Sequence, residues 1–381
     1  MRMLRCLALL VVAATSAAAQ RQRAIGDFDR DWRFQLGDVS GAQEVTFVDS
    51  GWRTLDVPHD WSIEGAFSDT NRAGVAGGAL PGGVGWYRKT FTVAAVDSGQ
   101  PVFIEFDGVY RNSEVWINGH YLGKRPYGYS SFEYELTPYL YYGRAPNVIA
   151  VRVDNSRQPN SRWYSGSGIY RHVRLVTTNN VHVDHWGTYV TTPEVNAARA
   201  RVRLLTTVRN ESQSERRITV RTIVSDAAGK VVATVSSAGS VPPDSVTEIT
   251  QELVVQRPNL WSIERPSLYR AVTRVECGGV ACDEYTTLFG IRSFAFRADS
   301  GFFLNGQHLK IRGVCLHHDL GSLGAAANTR AIERQLQIMK DMGVNAIRTS
   351  HNPPAPELLD LTDRMGLIVM DEAFDMWRKQ K

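Results

Sequence analysis

Apolar and polar positions alternate with a period of two through most of the chain up to Ser293. From Arg23 to Thr178 the alternating runs are short and are broken by Gly, Pro and Asp. Residues 102–109 (VFIEFDGV), 113–123 (SEVWINGHYLG) and 147–155 (NVIAVRVDN) are the clearest. Period two marks a strand with one face in a core and the other in water. Asn118-Gly119 is a hairpin signal, because both positions of a two-residue turn must accept positive φ. Several such strands without a helical stretch predict an all-β jelly-roll sandwich over residues 20–178. The Gly-rich piece at 73–85 (AGVAGGALPGGVG) reads as a mobile surface loop.

Alternation continues over residues 179–292, in runs such as 201–210 (RVRLLTTVRN), 216–226 (RRITVRTIVSD) and 268–276 (LYRAVTRVE). Roughly seven strands in about a hundred residues predict an immunoglobulin-like β-sandwich. VPPDS at 241–245 and RPNLW at 257–261 supply turns.

The period changes over residues 293–381. Residues 302–314 (FFLNGQHLKIRGV) end in an apolar strand. Residues 329–343 then place Ile332, Leu336, Ile338 and Met339 on a helical face closed by Gly343. VNAIR is a short strand. Residues 356–366 form a second helix, with Leu358, Leu359 and Leu361 apolar. LIVMDEA is a third strand. Strand–helix–strand–helix–strand predicts a parallel sheet covered by helices. A complete (β/α)8 TIM barrel takes about 250 residues, so this stretch is expected to be the N-terminal fragment of one.

Composition changes the picture little. The 381 residues are 43% hydrophobic and 22% charged, which is ordinary globular usage. A formal charge of +4 is too weak to argue for nucleic-acid or membrane partners. Nine Trp and fourteen Tyr suit flat-ring ligands such as sugars, and equally suit filled sandwich cores. Residues 1–19 have a basic start, a short apolar run and small residues at Ala17 and Ala19. This predicts a Sec-type signal peptide and a periplasmic or extracellular protein. Cys277 and Cys282 flank Gly278-Gly279 in a strand–turn–strand pattern, leaving a disulfide or two thiols open. Cys315 reads as a buried free thiol.

Several stretches together resemble glycoside hydrolase family 2, of the β-galactosidase type. WYRKTF (86–91) and RWYSGSGIYRHVRL (162–175) resemble its sugar-binding jelly roll. LWSIERPSLY (260–269) and FGIRSF (289–294) resemble the end of its immunoglobulin-like domain. Residues 302–324 (FFLNGQHLKIRGVCLHHDLGSLG) and 345–377 (ending LIVMDEAFDMW) resemble the start of its barrel. The HHD and EAFDMW forms look most like exported bacterial β-galactosidases. β-Glucuronidases and β-mannosidases share the architecture.

The resemblance implies retaining hydrolysis of terminal β-galactosides in an oligosaccharide or glycoconjugate, without a cofactor. Such chemistry needs two carboxyl groups about 5–5.5 Å apart at the C-terminal rim of a barrel. In the family these are glutamates on the fourth and seventh strands. The chain is expected to reach only the third, so no catalytic residue is assigned and this fragment alone is expected to be inactive. A non-catalytic carbohydrate-binding truncation product is the competing reading, and an unrelated two-sandwich adhesin a third.

The resemblance implies substrate contacts at His317, Arg348, His351 and Asn352, with Asp371 lining the pocket beside Glu372. The arginine matching Arg348 braces the nucleophile in the family, and the histidine matching His351 binds sugar hydroxyls. Asn352 stands where the family more often has Tyr, which bears on subsite shape. His317, His318 and Asp319 also form a metal-like triplet, but no spaced third ligand is evident and no metal is assigned. FDMW replaces the Glu-x-His of some family magnesium sites. Read by themselves, Asp371 and Glu372 could equally cap a helix or pair with a base. The RWYSGSGIYR segment reads as a hairpin holding the jelly roll against the barrel. Trp163 within it reads as packing before sugar stacking.

Overall fold

The computed structural model describes residues 23–375. The signal-peptide pattern at 1–19 and Trp377 lie outside them. The first region is a sandwich of two antiparallel sheets. One has four strands, in the order Ala24–Asp27, Val173–Thr177, Val102–Phe106 and Phe132–Glu135. The other has six, with Gly83–Phe91 and Asn147–Asn155 at its centre. Their inward faces meet in one core that includes Trp32, Tyr87, Ile104, Phe106, Ile117 and Ile149. Asn118 and Gly119, both at positive φ, join two strands paired from Ile117 to His120, which is the predicted hairpin.

The Gly-rich stretch departs from its reading as one mobile loop. Its end is the start of the Gly83–Phe91 strand, and Leu80 is buried. A Cβ at Gly85 would lie 2.8 Å from the Trp61 ring and 3.0 Å from Phe34. Glycine here admits large aromatic rings to the core instead of marking a turn.

Seven strands build the second sandwich, three in one sheet and four in the other. Cys277 and Cys282 are paired across the turn of its last hairpin. A three-stranded antiparallel meander over residues 294–308 follows, so the 302–314 stretch is divided between this meander and the next strand.

The parallel unit then runs β1 (Gly313–Leu316), α1 (Thr329–Asp341), β2 (Ala346–Thr349), α2 (Pro356–Met365) and β3 (Ile368–Met370), with β2 central. Ile332 and Leu336 of α1, Leu358 and Leu361 of α2, and Ile347 form its core. Ile338 and Leu359 are exposed, contrary to the sequence reading, because each lies off the 3.6-residue stripe that faces the sheet. Cys315 is free as expected but exposed. Val314 and Leu316 turn toward the helices, so period two sends Cys315 to the opposite face. Among the described residues no helix is long and apolar enough to cross a membrane.

Candidate active site

The site forms where the C-terminal ends of β1, β2 and β3 meet the 160–168 loop of the first sandwich. Parallel register aligns Cys315 with Arg348 and Arg348 with Met370. Residue 372 lies two positions beyond Met370 and therefore returns to the Arg348 side. Arg348 Nε donates to Glu372 Oε1 at 2.7 Å, and His351 Nδ1 lies 2.7 Å from Glu372 Oε2. His351 Nδ1 also lies 3.1 Å from Arg348 Nη2, so this nitrogen faces both groups of the ion pair and Nε2 is left for another partner. Desolvation acts to raise the Glu372 carboxyl, but its hydrogen bonds from His351 and Arg348 hold it below the usual range. Arg348 Nη1 also reaches Cys315 Sγ at 3.4 Å, and that hydrogen bond, aided by Ser350, lowers the thiol.

Thr349 points to the other side of β2. Its hydroxyl donates to Asp371 Oδ1 at 3.2 Å and accepts from the Glu372 amide at 3.2 Å. Asp371 is exposed and sits beside the triad instead of within it. Glu372, which the sequence placed beside Asp371 and allowed to pair with a base, is the one of the two that meets Arg348. Period two along β3, counted from the Arg348–Met370 pairing, is the signal that separates them.

Three rings make a corner above this triad. Trp163 stacks on His317 with centroids 5.3 Å apart, and meets the edge of His351 at 5.4 Å. His317 and His351 are 5.7 Å apart. Trp163, discounted in the sequence as packing, therefore both packs and faces open space. A cleft of about 420 Å³ is lined by Trp163, His351, Tyr127, Arg162, Phe374 and Asp375 among others. Arg162 is paired with Asp375 at 2.6 Å. Tyr127 donates its hydroxyl to the Ala373 carbonyl at 2.7 Å, and burial pushes that phenol up to about 12.

Two residues lie behind this surface. His318 donates from Nε2 to the Ser165 carbonyl at 3.0 Å, and burial pulls its imidazole down to about 4. Asn352 is only 3% exposed and lines a small cavity of about 30 Å³ with His317, His318, Tyr170 and Leu358, and not the larger cleft. Of these two expected contacts, His351 lines the larger cleft and Asn352 does not. His317, His318 and Asp319 do not converge as ligands. Among the described residues, the one group of three with metal-ligating geometry is Glu105, Glu133 and His185, at the seam between the two sandwiches.

Profiles described as glycosyl hydrolases family 2 match the chain almost throughout. The sugar-binding domain matches residues 25–179, the central domain 181–292, and the TIM barrel domain 297–376. The chain belongs to glycosyl hydrolase family 2. A β-galactosidase of Bacteroides ovatus, BoGH2A, is 58% identical over 97% of the chain and 43% of its own length. A putative β-glucuronidase of Formosa agariphila is 41% identical over 98% of the chain and 35% of its own length. A solved family 2 member from Bacteroides cellulosilyticus superposes with a TM-score of 0.90 at 41% identity, over 94% of the chain and 47% of its own. The chain spans less than half the length of each of these relatives. Its multidomain fold, two sandwiches followed by part of a TIM barrel, is that of the family.

Proposed function

We propose that the chain carries the sugar-recognition face of a retaining β-galactosidase-type glycosidase. The observation that carries the reading is the corner of Trp163, His317 and His351 set over the Arg348–Glu372 ion pair at a strand-end cleft. An aromatic plane offers a sugar its apolar face, and imidazoles offer hydrogen bonds to its hydroxyls. A His351 ring held by Glu372 is pre-oriented, so its binding energy is available to the transition state. Glu372 is engaged by Arg348 and His351 at once, which suits a bracing carboxylate better than a nucleophile. The catalytic carboxyl pair is assigned to barrel strands after β3, in line with the chemistry's need for two opposed acids.

A β-glucuronidase is the alternative, because several relatives carry that name. The 58% identity to a β-galactosidase favours the neutral glycone. Export is also proposed: the pattern of residues 1–19 supports it, as does the Cys277–Cys282 pairing.

The test is a panel of nitrophenyl β-galactoside, β-glucuronide and β-mannoside with protein carrying the complete barrel. Preference for the galactoside by at least about tenfold in kcat/KM is expected, corresponding to ~1.4 kcal/mol. Preference for the glucuronide overturns the assignment of the sugar, and no turnover of any of them overturns the glycosidase reading.

A further inference from the structure

Asp60 lies on a loop of the first sandwich, remote in sequence from Trp163, His317 and His351. Its side chain is buried, with the residue 2% exposed, and it accepts hydrogen bonds from three separate segments. Oδ1 accepts from the Ser62 amide at 3.0 Å and the Ser167 amide at 2.8 Å. Oδ2 accepts from the Ala325 amide at 2.8 Å and from the Tyr164 hydroxyl. All four are neutral donors, so the carboxylate is satisfied by geometry and not by a counter-charge.

Two of those segments bear the rings of the cleft. The loop that includes Tyr164 and Ser167 carries Trp163, and the barrel loop ending at Ala325 carries His317 and His318. Space on both sides is cut to the carboxylate. A Cβ at Gly166 would lie 2.6 Å from Asp60 Oδ2, and one at Gly324 would lie 2.4 Å from it. Both glycines have positive φ, at 69° and 59°. The sandwich-side loop has further anchors, since Asn155 donates to Gly166 O and Ser167 Oγ. The barrel loop leans on the sandwich through Asp60, the His318–Ser165 bond and the Ala327–Tyr170 bond. Asp60 is where all three segments meet.

We propose that Asp60 is a positioning residue for the sugar site. Its carboxylate locks the 160–168 loop to the 317–325 barrel loop and so sets the Trp163–His317 stack. The catalytic consequence rests on the glycosidase reading, whereas the structural one does not. Asn at this position keeps the shape but replaces one acceptor by an NH2 group facing an N–H or O–H donor, so at least one bond must break.

Hydrogen exchange on the chain itself tests the lock. In Asp60→Asn, exchange in segments 160–168 and 317–326 should quicken together by at least about tenfold, with strand Asn147–Asn155 unchanged. Gly324→Ala pushes on the same carboxylate from the barrel side and should give the same paired pattern. Unchanged exchange in the barrel loop of Asp60→Asn overturns the proposal, as does quickening that spreads to the core strand in both variants. In protein with the complete barrel, Asp60→Asn should lower kcat/KM on an aryl β-galactoside by roughly ten- to a hundredfold. Adding His317→Ala should then cost less than it does in the wild type, because both act on one unit. An additive double variant, or an Asp60→Asn enzyme with wild-type kinetics, overturns the positioning role. If the wild type itself has no glycosidase activity, the functional reading fails, and the exchange result still decides the lock.

Discussion

The indole of Trp163 and the imidazole of His317 lie 17° from parallel with centroids 5.3 Å apart, although one belongs to the first sandwich and the other to the barrel. The stack joins the two domains face to face, with Trp163 lining the cleft. An aromatic pair of this kind contributes ~0.5–1.5 kcal/mol beyond its buried area. Trp163→Ala in protein with the complete barrel should therefore lower kcat/KM by roughly three- to tenfold or more, and Trp163→Phe should recover part of it. Steady-state kinetics on a nitrophenyl glycoside check this. Wild-type values in Trp163→Ala would remove the indole from the site.

Glu372 holds Arg348 and His351 through its two separate oxygens. His351→Ala should lower kcat/KM by about ten- to a thousandfold, as for the loss of transition-state contacts worth ~1.4–4 kcal/mol. Glu372→Gln keeps the shape and removes the negative charge beside the imidazole. It should cost less than His351→Ala, and the double variant should be no worse than His351→Ala alone. Additive losses would mean that Glu372 acts on the reaction by a route other than His351.

Leu336 is fully buried between α1 and the parallel sheet, in a cluster with Ile332, Ile347 and Leu358. Leu336→Ala should destabilise the barrel unit by ~2–5 kcal/mol, whereas Ile338→Ala on the exposed side of the same helix should cost under about 1 kcal/mol. Denaturant unfolding followed by hydrogen exchange in α1 measures both. Equal losses would mean that the helix is turned otherwise.

The strands and both helices of the barrel unit were legible because burial enforces a period. Val314 and Leu316 alternate with Cys315, and Ile332 and Leu336 repeat at helical spacing. What stayed hidden was long-range partnership. Nothing near Asp60 in sequence announces that Ala325 will donate to it, and only the folded chain brings His185 to Glu105. That Glu372 could pair with a base was legible; which base was not, since the parallel register that sets Arg348 beside Met370 exists only in the folded sheet. Trp163 packs as its sequence context suggested, but that context could not show that the ring also lines the cleft, because the cleft wall is assembled from segments far apart in the chain.

The seam between the two sandwiches offers a prediction in pH. A register shift between Val183 and Thr188 breaks the pairing with the neighbouring strand, and His185 and Trp186 of that stretch reach the first sandwich. His185 Nδ1 lies 3.2 Å from Glu105 Oε1 and 3.6 Å from Glu133 Oε2, while Trp186 donates to Ser131 at 2.9 Å. Burial works to lower the His185 imidazole, but the two carboxylates outweigh it and its pKa stands above 6.5. A histidine raised on folding gives stability that is complete below its unfolded pKa and is lost as pH rises through the folded one. Glu133, itself raised chiefly by burial, loses stability in the same direction, starting from its lower unfolded value. The seam should thus be strongest in mild acid. As pH rises from about 6 to about 8 the wild type should lose more stability than His185→Gln, read as a larger fall in Tm. His172 is also raised, by Asp29, but it is present in both proteins and cancels in the comparison. Parallel pH profiles for the two proteins would show that His185 stays neutral at the seam.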